Sequence, residues 1–94
     1  MELIIRGSFF RDWDNIVSRE LSKAIEEKKD EVKAARNISH ISYLKKLRIR
    51  TNWYKIELRI SQHKIYWILC VIRKPMDRIE FVRLKPESYF KKNL

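Results

Sequence analysis

The residues with the clearest chemical potential in this sequence are its lysines and arginines, which are concentrated in the second half. Residues 1–47 contain 10 Lys or Arg against 8 Asp or Glu, whereas residues 48–94 contain 12 against 4, within a formal net charge of +10. Such a distribution attracts an anionic partner, and three classes fit: nucleic acid, a membrane surface or an acidic protein. A lysine-rich composition without any binding role is the fourth explanation.

The cysteine, histidine and acidic residues of the sequence argue against a metal site and against thiol chemistry. Cys70 is the single cysteine, so it can form neither an internal disulfide nor a Cys-rich zinc site, and it reads as a small core residue. His40 and His63 read as a connector residue and a turn residue. The acids of the second half are too scattered for a carboxylate cluster; they are Glu57, Asp77, Glu80 and Glu87. We therefore predict neither a metal nor a cofactor.

The length and composition predict one soluble domain. Residues 1–94 have the size of a single domain, and 45% apolar with 12% aromatic residues argue against disorder. The first residues lack the layout of a signal peptide, and no stretch approaches the ~20 apolar residues of a membrane span. Basic residues on strand-like segments also argue against a membrane-surface role. We expect a cytoplasmic protein without membrane contact.

The first third of the chain predicts the elements that support the basic half. An apolar run at 2–6, ended by the only glycine, indicates a strand. Apolar residues at helical spacing then predict two helices, near 8–17 and 18–36, with Ser8 and Ser18 as candidate N-caps. One long helix is the competing interpretation, because neither Gly nor Pro separates the two.

The second half predicts strands that present alternate residues to two faces. In 53–61 apolar and charged residues alternate, Gln62 and His63 form a tight reversal, and 65–72 is apolar on both faces, as in a central strand. A further strand follows at 78–84. The order β-α-α-β-β-β predicts an α+β fold in which a helical hairpin packs on a small antiparallel sheet.

Short motifs along most of the chain resemble the RelE/ParE superfamily of bacterial toxins. The sequence YKIELR at 54–59 followed by HKIY at 63–66 is similar to the paired-strand core of that family. RNISHI at 36–41 and LKKL at 44–47 look like its connector, and FVRLK at 81–85 with ESYF at 87–90 looks like its last strand and tail. Each motif is short, so the resemblance rests on their order and spacing.

The resemblance implies the toxin of a type II toxin–antitoxin pair, with a cognate antitoxin as partner. RelE-like members enter the ribosome and cut mRNA without a metal ion, whereas ParE-like members inhibit DNA gyrase and some relatives do neither. Three functions therefore stay open: a ribosome-dependent endonuclease that acts on mRNA, a gyrase inhibitor, and an inactive relative that binds nucleic acid.

The resemblance also implies site residues. Lys55 matches a residue that helps to activate the nucleophile, Lys64 one that contacts the scissile phosphate, and Tyr89 one that stacks on a base or takes part in proton transfer. The candidate RNA-binding residues are Lys45, Lys46, Arg48, Arg50, Arg59, Lys85, Lys91 and Lys92.

Three departures separate this chain from the ribonuclease members. Glu57 stands where a basic residue is common, and its carboxylate repels a substrate phosphate. The tail at 84–87 lacks a His-Arg-Lys run, and Gln62 replaces a turn glycine. Glu57 and Arg59 also fit a solvated sheet face without a catalytic role.

Overall fold

The computed structural model describes residues 1–48, 50–73 and 77–89 of the chain. Its helices and strands follow the predicted order, with one additional short strand. In chain order they are β1 (Glu2–Ile5), α1 (Gly7–Asp14), α2 (Arg19–Ala34), a 3-10 turn (Ile38–His40), β2 (Leu44–Lys46), β3 (Trp53–Ser61), β4 (Lys64–Arg73) and β5 (Arg78–Pro86).

The described strands form one sheet in the order β1-β5-β4-β3-β2. The α+β class and the central position of β4 are confirmed. The later strands pair antiparallel, as predicted, whereas β1 pairs with β5 in parallel, so the complete sheet is mixed. β2 was not predicted as a strand, because three residues are too few to show a period of two. The helices carry the chain across the sheet between β1 and the later strands, which permits the parallel pair.

Both helices pack on the same face of the sheet and enclose the core. Phe9 of α1 and Leu21 and Ile25 of α2 are fully buried against strand residues such as Ile56 and Ile68. The inward-facing residues of β3 are the ones that the alternation predicts: Tyr54, Ile56 and Leu58. Burying one large apolar side chain contributes about 1.5–3 kcal/mol. This layer is therefore the main source of stability, and the opposite sheet face is not covered by the helices.

Two separate helices are confirmed, and the competing single helix is wrong. Ser18 is the N-cap of α2, and its Oγ accepts a hydrogen bond from the Leu21 amide at 3.2 Å. Ser8 does not cap α1, which begins one residue earlier; its hydroxyl donates to the Val82 carbonyl of β5 instead. A polar side chain thus ties α1 to the strand beside it.

Along the second half of β5, the strand edge contacts helix α1 and no longer β1. β1 pairs with β5 only as far as Phe81, and the Arg6 amide donates to the Phe81 carbonyl at 3.0 Å where the chain turns into the helix. Beyond that point, Asp12 accepts a hydrogen bond from the Leu84 amide at 2.9 Å. The strand edge is therefore satisfied by a helix side chain, as buried backbone groups require.

A buried lysine fixes the entry to β2. Lys28 interrupts the apolar stripe of α2, yet its Nζ is bonded to the Glu31 carboxylate at 3.0 Å and to the Ser42 carbonyl at 2.9 Å. Glu31 also accepts a hydrogen bond from the Ser42 amide. These contacts hold the connector against α2, and Tyr43 follows with a φ of 63°, in the left-handed region. The chain then enters β2 beside β3.

Candidate functional site

The sheet face that turns away from the helices carries a group of cations. Directly paired residues of neighbouring antiparallel strands point to the same side. Lys45 pairs with Lys55, and Leu69 lies between Lys55 and Arg83 in the same row. We call this surface the open face, and we define the open-face cations as Lys45, Lys55, Arg59, Arg83 and Lys85.

Glu57 lies at the centre of this group. One of its carboxylate oxygens is 3.4 Å from Lys55 Nζ and 3.9 Å from Lys45 Nζ, and the other is 3.7 Å from an Arg59 guanidinium nitrogen. The sequence predicted an exposed Glu57, but its side chain is only 9% exposed. Burial of a carboxylate is tolerated where cations compensate the lost hydration, and three cations meet that condition here.

Lys55 lies on an aromatic platform. Its Nζ is 3.4 Å from the centre of the Trp67 ring, a cation–π contact, and its side chain is only 15% exposed. Trp67 is buried and packs on the open face, where its register partner is Glu57. A lysine between an indole ring and a carboxylate has a restricted position, which suits contact with one defined anionic group.

Arg83 and Lys85 are oriented by an acid from the first helix. Asp12 accepts hydrogen bonds from Arg83 at 2.8 and 3.3 Å, and Lys85 Nζ is 3.2 Å from the same carboxylate. Burial raises the pKa of Asp12, but the hydrogen bonds from Arg83, Leu84 and Lys85 outweigh it, so the pKa lies below its usual value. The bond to Asp12 raises the pKa of Arg83 in turn.

The chain after β5 brings Tyr89 to the edge of the open face. Lys85 Nζ is 5.2 Å from the centre of the Tyr89 ring, and Trp67 donates through its ring nitrogen to Glu87 at 3.3 Å. Tyr89 is 42% exposed. Its ring therefore lies within reach of a ligand that contacts Lys85.

Lys64 lies apart from Lys55. It is the first residue of β4 and is paired with Ser61 across the hairpin turn. Alternation from Trp67 places its side chain on the other side of the strand. It lines a groove of about 400 Å³ between the β3–β4 turn and the start of the tail, together with His63 and Glu87 among others. The two lysines that the resemblance groups together are thus on different surfaces of β3 and β4.

The remaining predicted RNA-binding residues divide between further locations. Lys46 pairs with the inward-facing Tyr54, so it lies on the side of β2 opposite to Lys45. It lines a separate depression with Arg48 and Arg50, and Arg50 is 5.8 Å from the centre of the Trp53 ring. Lys91 and Lys92 lie outside the described residues. Of the predicted residues, the structure brings Lys45, Lys55, Arg59 and Lys85 to the open face.

Sequence reasoning missed one cation of this face and the helix acid that orients it. Arg83 was not singled out, although it stands two residues before Lys85 and alternation alone would place both on one side of a strand. Asp12 offered no comparable signal, because its partners are more than seventy positions away in the chain and only the helix packing brings them together.

Neither a metal cluster nor a membrane helix occurs in residues 1–48, 50–73 and 77–89. No three His, Cys, Asp or Glu side chains of these ranges lie close enough to hold a metal ion. No helix within them has the length and apolar character needed to cross a membrane.

The fold is RelE-like. No family model matches the chain, and no curated protein matches its sequence. A chain of the RelB–RelE antitoxin–toxin complex from Methanococcus jannaschii aligns with a TM-score of 0.61 and 19% identity, over 97% of this chain and 98% of that one. The isolated RelE toxin of E. coli aligns with a TM-score of 0.61 and 17% identity, over 98% and 94%. The predicted resemblance is therefore confirmed at the level of the fold.

Proposed function

We propose that this protein is the toxin of a type II toxin–antitoxin pair and cleaves mRNA on the ribosome without a metal ion. One observation carries the proposal: a RelE-like sheet turns its cations toward a face that the helices do not cover. Lys55, Arg59 and Lys85 share that face. Cations arranged over an open sheet suit the phosphates of a single strand of RNA.

The chemistry requires a group that activates the 2′-hydroxyl, cations that stabilise the pentavalent phosphate and a proton donor for the leaving oxygen. Lys55 is the candidate for the first task, because it is held in one position by Trp67 and Glu57. Arg83 and Lys85 would stabilise the phosphate, and Tyr89 beside them would stack on a base or transfer the proton. Lys64 in the adjoining groove would hold the RNA strand on its way past the hairpin.

The open shape of the site favours dependence on the ribosome. The open face is a sheet surface that contacts a ligand from one side, whereas in-line attack by the 2′-hydroxyl needs a strand held to within a fraction of an ångström. The decoding site would supply the opposing surface and the fixed codon.

An antitoxin is the expected partner in the cell. The two proteins would meet in the cytoplasm of a bacterium or an archaeon. The similar Methanococcus jannaschii chain occurs in an antitoxin–toxin complex. An acidic antitoxin segment that covers the open face would neutralise its cations and block RNA. Such segments are often disordered alone and become ordered on binding.

The test is a reconstituted bacterial translation reaction in which mRNA 5′ ends are mapped by primer extension. Wild type should create new ends within codons at the ribosomal A site, and omission of ribosomes should abolish them. The triple variant Lys55→Ala/Lys64→Ala/Tyr89→Phe should reduce cleavage by about a hundred-fold or more. Lys33→Ala, which removes a cation from an exposed position of α2, is the control and should leave cleavage unchanged.

Intact mRNA with normal translation in the wild-type reaction would overturn the ribonuclease proposal. The same sample would then be assayed for inhibition of gyrase supercoiling. Inhibition there would assign the protein to gyrase-directed toxins, and its absence would indicate a relative without either activity.

A further inference from the structure

Glu57 lies where three open-face cations converge. Its carboxylate attracts Lys45, Lys55 and Arg59, and such side chains are the ones that hold phosphates in proteins. The chain has a net charge of +10, so a buried carboxylate at the centre of three cations places a negative charge where the surrounding side chains would attract an external anion.

The distances show that these cations contact Glu57 as ion pairs without short hydrogen bonds. The three ion pairs measure 3.4, 3.7 and 3.9 Å, longer than the 2.7–2.9 Å of a charge-assisted hydrogen bond. Glu80 shows the contrast, because Arg6 and Arg73 contact its carboxylate at 2.7 and 2.8 Å. The cations around Glu57 can therefore accept a second anion at little cost in hydrogen bonds.

Exposure divides these cations into two kinds. The side chains of Lys45 and Arg59 are 63% and 59% exposed, so both can turn toward a ligand in solvent. Lys55 is 15% exposed and is held against Trp67. An arriving phosphate would meet two exposed cations and one largely buried cation, with the Glu57 carboxylate as its competitor.

We propose that Glu57 is a built-in competitor of the RNA phosphate, which lowers the affinity of the open face for a phosphodiester. In the free protein Glu57 holds Lys45 and Arg59, and a bound RNA strand draws them away. This inference rests on the proposed function for the identity of the anion. It explains how a chain with such a basic surface limits its binding to polyanions that can outcompete an internal carboxylate.

The experiment measures the fluorescence anisotropy of a labelled single-stranded RNA oligomer at a series of salt concentrations. We expect Glu57→Gln to bind about five-fold more tightly than wild type, because the competing charge is gone. Its plot of log affinity against log salt should be steeper by about 0.7, since about one more phosphate would be neutralised per complex. Asp30→Asn removes the same charge from an exposed position of α2 and should leave the slope unchanged.

If Glu57 had a purely structural role, Glu57→Gln would not increase the affinity for RNA. If folded Glu57→Gln, checked by thermal melting, bound RNA equally or less tightly, or if neither it nor wild type bound RNA, the proposal would be overturned. A measurement on wild type covers the case in which the variant does not fold. The carboxyl ¹³C resonance of Glu57 should shift on RNA addition while that of Glu80 stays in place, and an unmoved Glu57 signal would refute displacement.

The outcome is separable from that of the proposed function. The binding assay contains neither ribosomes nor a cleavage step. A protein that fails to cut mRNA but binds more tightly as Glu57→Gln would support this inference and refute the ribonuclease. If the protein cuts mRNA but Glu57→Gln binds RNA no more tightly than wild type, the ribonuclease proposal would be supported and the inference about Glu57 would be refuted.

Discussion

Asp12 accepts a hydrogen bond from Arg83 at 2.8 Å, across 71 positions of the chain. The same carboxylate accepts a hydrogen bond from the Leu84 amide and forms an ion pair with Lys85. One acid therefore joins α1 to the strand that carries two open-face cations. One side chain therefore links the packing of the first helix to the positions of two cations of the candidate site.

Asp12→Ala should lower the free energy of unfolding by about 2 kcal/mol, because it leaves the Leu84 amide and Arg83 without their acceptor. Urea unfolding measures this. Asp14→Ala is the control, since Asp14 is exposed at the end of the same helix and its loss should change stability by no more than about 0.5 kcal/mol. Equal effects of the two substitutions would contradict the role of Asp12.

Acid should weaken the fold. The bonds from Arg73 and Arg6 hold the pKa of Glu80 below its usual value despite burial. Burial raises the pKa of Glu31, but the Ser42 amide and Lys28 outweigh it and lower the pKa overall; Asp12 behaves alike. Because these pKa values are lower in the folded state, the stabilisation is present above the ordinary carboxyl pKa of about 4 and is lost as the pH falls through the folded values.

The urea midpoint should accordingly decrease as the pH is lowered from about 5 to about 3. In the variant Asp12→Asn/Glu31→Gln/Glu80→Gln the midpoint should start lower and depend less on pH. A wild-type midpoint that stays constant or rises over this range would show that these carboxylates do not control acid stability.

Adjacent lysines of β2 should behave differently toward RNA. Lys45 lies on the open face, 3.9 Å from Glu57, whereas Lys46 pairs with the inward-facing Tyr54 on the other side. Lys45→Ala should weaken binding of a single-stranded RNA oligomer and reduce the salt slope by about 0.7, while Lys46→Ala should have the smaller effect on both. The two variants have the same charge, so equal losses would mean that net charge and not the open face governs binding.

Cys70 should report global unfolding. Its side chain is fully buried in β4, and burial raises the pKa of the thiol far above its ordinary value. A thiol reagent should therefore modify the native protein at least about 10³-fold more slowly than the unfolded chain. The variant Cys70→Ala/Ser39→Cys, with its thiol at an exposed position, should react rapidly when native. Rapid modification of wild type without denaturant would contradict this placement.

Much of the fold could be predicted from local patterns. The alternation in β3 and the continuous apolar character of β4 set which residues face the helices, because a period of two and a fully apolar run have few other solutions. The Ser18 cap separated α2 from α1 without a Gly or Pro. β2 was not predicted because its three residues are too few to define a period. The N-cap expected at Ser8 was wrong because the Ser8 hydroxyl donates a hydrogen bond to the Val82 carbonyl.

The candidate site was only partly predictable for a different reason. Composition and order along the chain determined a basic second half, a RelE-like succession of elements and the cations Lys45, Lys55, Arg59 and Lys85, because charge and periodicity are properties of neighbouring residues. Only the tertiary structure decided which of them act together. Strand register placed Glu57 among three cations and Lys64 on another surface, and helix packing brought Asp12 to Arg83. Such relationships join distant parts of the chain, and pairing and packing alone bring those parts into contact.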